Sequence, residues 1–181
     1  DVINAILDWG PTFLRWPGGN FVSAYHWQDG IGRRDKRPTR LDPAFGLLEP
    51  NDVGTDEFID LCRLLNTEPI LTVNMGNGTS EEAAAWVEYC NGGRKTKYGR
   101  LRVANGYKEP HNVKTWFIGN ELFGNWQVGH VDAETYAMLY LEFARAMREV
   151  DADLQLIAVG VPVDLYGRWN ELVLKQCREE M

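Results

Sequence analysis

Strand-like apolar runs alternate with amphipathic helical segments four times along the chain, and this alternation restricts the fold more than any other feature. The strand-like runs fall at residues 12–16, 69–75, 113–118 and 154–160, and each leads on to a helical pattern. Strands joined through helices run parallel, with right-handed crossovers. Two α/β architectures satisfy such a pattern: part of a (β/α)8 TIM barrel, or a doubly wound open sheet. The loops after the first and third strand runs carry large polar and aromatic residues rather than a phosphate-binding pattern, which suits a barrel. On that reading residues 1–181 form roughly the N-terminal half of a (β/α)8 domain.

The helices are marked by their ends. Val2, Ile3, Ile6 and Leu7 open the chain on one helical face. Thr55 is placed to cap a helix that buries Phe58, Ile59, Leu61, Cys62 and Leu65. Thr79 and Glu82 have the spacing of a capping box for a helix through Ala83, Trp86, Val87 and Cys90, stopped at Asn91-Gly92-Gly93. Asp132 caps the clearest helix, with Tyr136, Leu139, Tyr140, Phe143, Met147 and Val150 in one stripe. A last helix follows Leu165. Residues 17–54 and 94–112 read as loops. The first is rich in aromatics and arginines and reads as ordered, with a surface to present.

Composition excludes several functions. A net charge of −7 disfavours a nucleic-acid partner. No apolar run reaches the ~18 residues of a membrane span. Three widely separated cysteines suit a reducing, cytoplasmic setting better than a disulfide framework or a zinc site. His26, His111 and His130 lack metal-ligand spacing. The chain begins at Asp1 without a signal-like segment, and both ends read as helix interiors, so a piece of a longer protein is expected.

The candidate chemistry lies where strand runs stop. Trp116-Phe117-Ile118-Gly119 ends at Asn120-Glu121, followed by Phe123 and Trp126. Ligands bind beyond such strand tips in parallel α/β folds. Glycosidic cleavage needs a carboxyl group that can protonate a leaving oxygen, a neighbouring amide to bind a sugar hydroxyl, and an aromatic face to stack on the ring. Spacing alone does not separate that role for Glu121 from a solvated carboxylate opening a loop. At another strand end Arg15 and Asn20 flank Trp16-Pro17-Gly18-Gly19. Arg15 suits either a salt bridge within the turn or the support of an ionised carboxylate. Glu109 and His111 precede the same strand as Glu121, so a rise of about 3.3 Å per residue puts them at the opposite end of the sheet, where a structural role is expected. Gly76-Asn77-Gly78 lacks the third glycine of a dinucleotide loop, with Glu81 in its place.

Leu14-Arg15-Trp16-Pro17-Gly18-Gly19-Asn20 and Gly106-Tyr107-Lys108-Glu109-Pro110-His111-Asn112, running on to Ile118-Gly119-Asn120-Glu121, resemble segments of the α-L-arabinofuranosidases of glycoside hydrolase family 51. The resemblance extends from Phe13 to Gly160. It implies a retaining exo-glycosidase that removes terminal α-L-arabinofuranosyl units from arabinan, arabinoxylan or derived oligosaccharides, with no cofactor. The visible strands would be the second to fifth of the barrel. Glu121 would be the general acid/base, Asn120 and Asn20 would contact the sugar, and Arg15 would support the nucleophile's charge. Phe45 stands where the family often carries a stacking Trp, and Trp126 is a further stacking candidate. The resemblance puts the nucleophile on the seventh strand, outside this chain, so the alternative is a catalytically inactive fragment that only binds carbohydrate. It also implies a homo-oligomer for the full-length protein.

Overall fold

The computed structural model describes residues 2–162 and 166–181. Helix α1 (Val2–Trp9) leads into β1 (Phe13–Trp16). A hairpin of β2 (Arg40–Asp42) and β3 (Leu47–Glu49) stands in the long connection to α2 (Thr55–Leu65). There follow β4 (Glu68–Val73), α3 (Ser80–Asn91), α4 (Lys97–Ala104), β5 (Thr115–Ile118), α5 (Ala133–Val150), β6 (Gln155–Ala158) and α6 (Trp169–Cys177). Strands β1, β4, β5 and β6 pair in that order, all parallel. Among the described residues the order never reverses, so they hold no switch point of the kind a doubly wound sheet requires. These are successive strand–helix units of part of a (β/α)8 barrel.

The two sheet faces differ because strand side chains alternate. Trp116 and Ile118 are fully buried beneath the helices. Phe117 points the other way, as does Arg15, whose guanidinium carbon lies 5.0 Å from the Phe117 ring centre. On the helix side, Trp86 of α3 is the hub. Its ring meets Trp16 at 6.2 Å, Trp116 at 5.4 Å and Trp27 at 6.2 Å between centroids, the last nearly coplanar. The indole N–H donates to Thr55 Oγ1 at 3.0 Å.

That bond explains one departure from expectation. Thr55 does not cap α2; Gly54 does, and its N–H donates to Glu57 Oε2 at 2.9 Å. Gly54 packs against the backbone of Gly30, and a Cβ there would collide with the Gly30 carbonyl. Thr79 caps α3 as expected, accepting from the Glu82 N–H at 3.2 Å. The Glu82 carboxylate does not close the box; it pairs with His26 Nδ1 at 2.9 Å. Residues 94–112 are not all loop, because α4 lies within them, capped by Thr96 Oγ1. The expected helix start after Leu165 falls outside the described residues; α6 begins at Trp169.

The first connection is ordered by a buried arginine. Arg37 donates to Gly32 O at 2.8 Å, Asn51 O at 2.9 Å and Glu57 Oε1 at 2.7 Å, which fastens the connection to α2. Among the described residues, no helix is long and apolar enough to cross a membrane.

Candidate active site

The end of β5 sets the geometry. Asn120 is only 6% exposed, whereas Glu121 is exposed and has φ +48°. A left-handed backbone at a residue other than glycine costs roughly 1–3 kcal/mol and persists where its surroundings hold it. Two bonds do so here. Gln127 Nε2 donates to the Asn120 carbonyl at 2.6 Å, and the Gly124 N–H donates to the Glu121 carbonyl at 2.8 Å. Further along, the Val131 N–H and His130 Nδ1 both lie 3.0 Å from the Leu122 carbonyl.

Arg15 crosses from β1 to the same point. Its Nη2 donates to Asn120 Oδ1 at 3.0 Å. Because arginine has only donors, this bond fixes which way the amide faces. Asn120 Nδ2 is then left buried, with no hydrogen-bond partner among the described residues. Burial lowers the pKa of the Arg15 guanidinium, and the charge of Glu121 works against that shift. Arg15, Phe117, Asn120 and Glu121 line an open cleft of about 240 Å³, closed on one side by Val159 and Gly160 beyond β6. A carboxylate, a cation held by its amide partner, and the residue that carries the unspent donor therefore line one space.

Three larger depressions lie elsewhere; that around Arg63 and His111, about 320 Å³, is near the start of β4. Another, of about 400 Å³, sits between Phe123, His130 and Trp169, and its Asp132 carboxylate is engaged in capping α5. The third, about 380 Å³, is an apolar trough between β6 and α6. The smaller cleft has the convergent polar groups that mark a ligand site.

Three of the six candidate residues thus come together: Arg15, Asn120 and Glu121. Asn20 lies in a half-buried helical turn spanning Gly19–Ala24. Phe45 is 61% exposed, in the turn between β2 and β3. Trp126 is 54% exposed, with its ring folded over Gly124 and edge-on to Phe123 at 6.2 Å. None of these three lines the cleft. Sequence reasoning passed over Gln127 and Phe117. Nothing in the sequence marks an amide in a loop as the partner of one particular carbonyl, and Phe117 reads simply as a strand residue.

The other polar features have local roles. His111 Nε2 lies 2.8 Å from Asp56 Oδ1, and Arg63 Nη2 lies 3.1 Å from its Nδ1, which makes it a structural bridge near the start of β4. The Gly76 and Asn77 N–H groups both donate to Asn74 Oδ1, at 3.0 and 3.1 Å, and so do not point at a phosphate. Gly76 also touches two other loops. A Cβ there would meet the carbonyls of Ser23 and Val128.

A partial parallel barrel with a carboxylate, an amide and an arginine gathered at its strand ends has some of the groups that a glycoside hydrolase catalytic domain uses. Comparison with known proteins makes this specific. The alpha-L-arabinofuranosidase 1 domain matches residues 5–165. A probable α-L-arabinofuranosidase C of Aspergillus fumigatus is 46% identical over 177 residues, covering 98% of this chain and 35% of the relative. An intracellular exo-α-(1→5)-L-arabinofuranosidase of Acetivibrio thermocellus is 41% identical, covering 96% of this chain and 35% of that protein. Among solved structures, the arabinose complex of the Thermotoga maritima α-L-arabinofuranosidase aligns with TM-score 0.92 at 49% identity, over 97% of this chain and 36% of that one. A family 51 enzyme from Bifidobacterium longum aligns with TM-score 0.95 at 41% identity, over 100% of this chain and 36% of that one. The chain belongs to the α-L-arabinofuranosidases of glycoside hydrolase family 51. It spans about a third of the length of the relatives it matches, 35% of the curated ones.

Proposed function

We propose that this chain supplies the acid/base half of a retaining exo-α-L-arabinofuranosidase. Residues 1–181 would form the N-terminal half of its catalytic barrel, and a carboxylate nucleophile would come from outside the chain. The reading rests on one observation above all: Glu121 stands exposed beside Asn120, whose buried Nδ2 is still free to donate. Retaining cleavage needs two carboxyl groups about 5–5.5 Å apart, one to attack the anomeric carbon and one to protonate the leaving oxygen. Glu121 takes the second part, then removes a proton from the water that releases the sugar. Asn120 Nδ2 donates to a hydroxyl of the bound arabinofuranosyl unit, and Arg15 keeps the amide turned toward it and stabilises the nucleophile's negative charge. Asn20 would contact the same bound sugar, and Phe45 and Trp126 would stack on the arabinan or arabinoxylan chain farther out.

The free, buried cysteines Cys62, Cys90 and Cys177 accord with a cytoplasmic enzyme, and the full-length protein would assemble as a homo-oligomer. In that protein, Glu121→Ala should reduce kcat/KM far more for arabinosides with poor leaving groups than for those with good ones. An equal loss on both would remove Glu121 from the acid/base role. Because the cleft contains one carboxylate among the described residues, the isolated chain should bind arabinose without turning over a substrate.

A further inference from the structure

The bond from Gln127 to the Asn120 carbonyl bears directly on the backbone that carries Glu121. That carbonyl belongs to the peptide plane joining Asn120 to Glu121, so its orientation sets φ of Glu121. Gln127 Nε2 holds it at 2.6 Å, and Gln127 itself is only 5% exposed. The Gln127 main chain is also anchored. Its N–H donates to Gly124 O at 3.0 Å, and its carbonyl accepts from the His130 N–H at 3.2 Å. The next residue, Val128, packs its carbonyl against Gly76 of the loop after β4. The amide that fixes the Glu121 backbone therefore reaches it from a segment braced against a neighbouring βα loop.

We propose that Gln127 is a positioning residue for proton transfer by Glu121. Without the bond, the plane between Asn120 and Glu121 rotates toward the negative φ that a glutamate prefers, and the carboxyl group leaves the line to the leaving oxygen. Gln127 does not line the cleft, and its effect passes through one backbone carbonyl. The inference rests on the acid/base reading of Glu121 and assigns what keeps that acid in place.

The test compares alkyl and nitrophenyl α-L-arabinofuranosides with the full-length enzyme and its Gln127→Met and Glu121→Ala variants. Met fills the same space without a donor. Gln127→Met should lower kcat/KM for the alkyl substrate about 30-fold or more and for the nitrophenyl substrate about threefold or less, since small misplacements of catalytic groups cost up to about a hundredfold. Added to Glu121→Ala, it should change the alkyl rate less than about twofold, because residues acting as one unit are non-additive. Equal losses on both substrates from Gln127→Met, or no loss, overturn the proposal. If Glu121→Ala itself lacks the leaving-group contrast, it is the acid/base reading that fails. Should Gln127→Met not fold, Gln127→Leu, also apolar and without a donor, has to give the same contrast.

Discussion

Arg15 and Asn120 are 105 residues apart in the chain, yet Arg15 Nη2 lies 3.0 Å from Asn120 Oδ1. They sit on β1 and just beyond β5, with β4 between the two strands. The sheet order brings them together, and the one-way chemistry of guanidinium orients the amide.

If that orientation matters, lysine will not substitute for arginine. Arg15→Lys keeps the charge but loses the planar fork that reaches Asn120 while lying over Phe117. In the full-length enzyme kcat/KM should fall about 10–100-fold, with a loss of folding stability of about 1 kcal/mol or less. Unchanged kinetics would mean that Asn120 does not need Arg15 to hold its orientation.

The backbone of Glu121 gives a stability prediction independent of catalysis. Glu121→Ala and Glu121→Gly both delete the carboxylate, but only glycine accepts φ +48° without strain. Glycine should therefore be the more stable of the two, by about 0.5–1 kcal/mol in urea unfolding. Greater stability for alanine would show that the left-handed conformation is not held in solution.

Trp86 joins three other indoles and donates to Thr55 Oγ1. Trp86→Ala should cost about 3–5 kcal/mol, read from the denaturation midpoint, through lost packing and the cavity left behind. Trp86→Phe retains an aromatic ring and should cost clearly less. Similar losses for the two variants would argue against the ring cluster as the source of stability.

Glu57 supplies an acid-dependent term. Burial pushes its carboxyl group up, but bonds from Arg37 and the Gly54 N–H outweigh that, so it titrates below its usual range. A depressed folded-state value means that the unfolded chain binds more protons as pH falls. The contribution is complete above the unfolded value of about 4.3 and is lost as pH drops through the folded one. The stability advantage of the wild type over Glu57→Gln should therefore shrink on acidification. A constant advantage would leave packing rather than charge as its origin.

Much of the scaffold could be read from the sequence because local and tertiary preferences agree. The four strand runs, the Thr79 and Asp132 caps and the stripe of α5 from Tyr136 to Met147 stand where periodicity and capping chemistry put them, whereas Val150 at the end of that stripe is 37% exposed. Disagreements arise where a distant partner intervenes. Thr55 has an ideal capping side chain but gives it to Trp86, and Gly54 takes the cap because Gly30 leaves no room for a side chain. Helix α4 escaped notice because its fully buried side chain is Arg102 rather than an apolar stripe. The strand-end position of Asn120 and Glu121 was visible in advance. The positive φ of Glu121 and its bond network were not, because a residue 7 positions beyond Asn120 supplies the clamp.

Gly76 has a consequence for how such a chain can be altered. Main chain from the loops after β1 and β5 abuts it at Ser23 and Val128, with only the short Ser23 side chain beside them to absorb a change of shape. The three loops consequently behave as one casting rather than three interchangeable parts. Exchanging any one of them for a loop from another barrel should disturb the other two, so recombination of this rim is expected to succeed only when all three are transferred together.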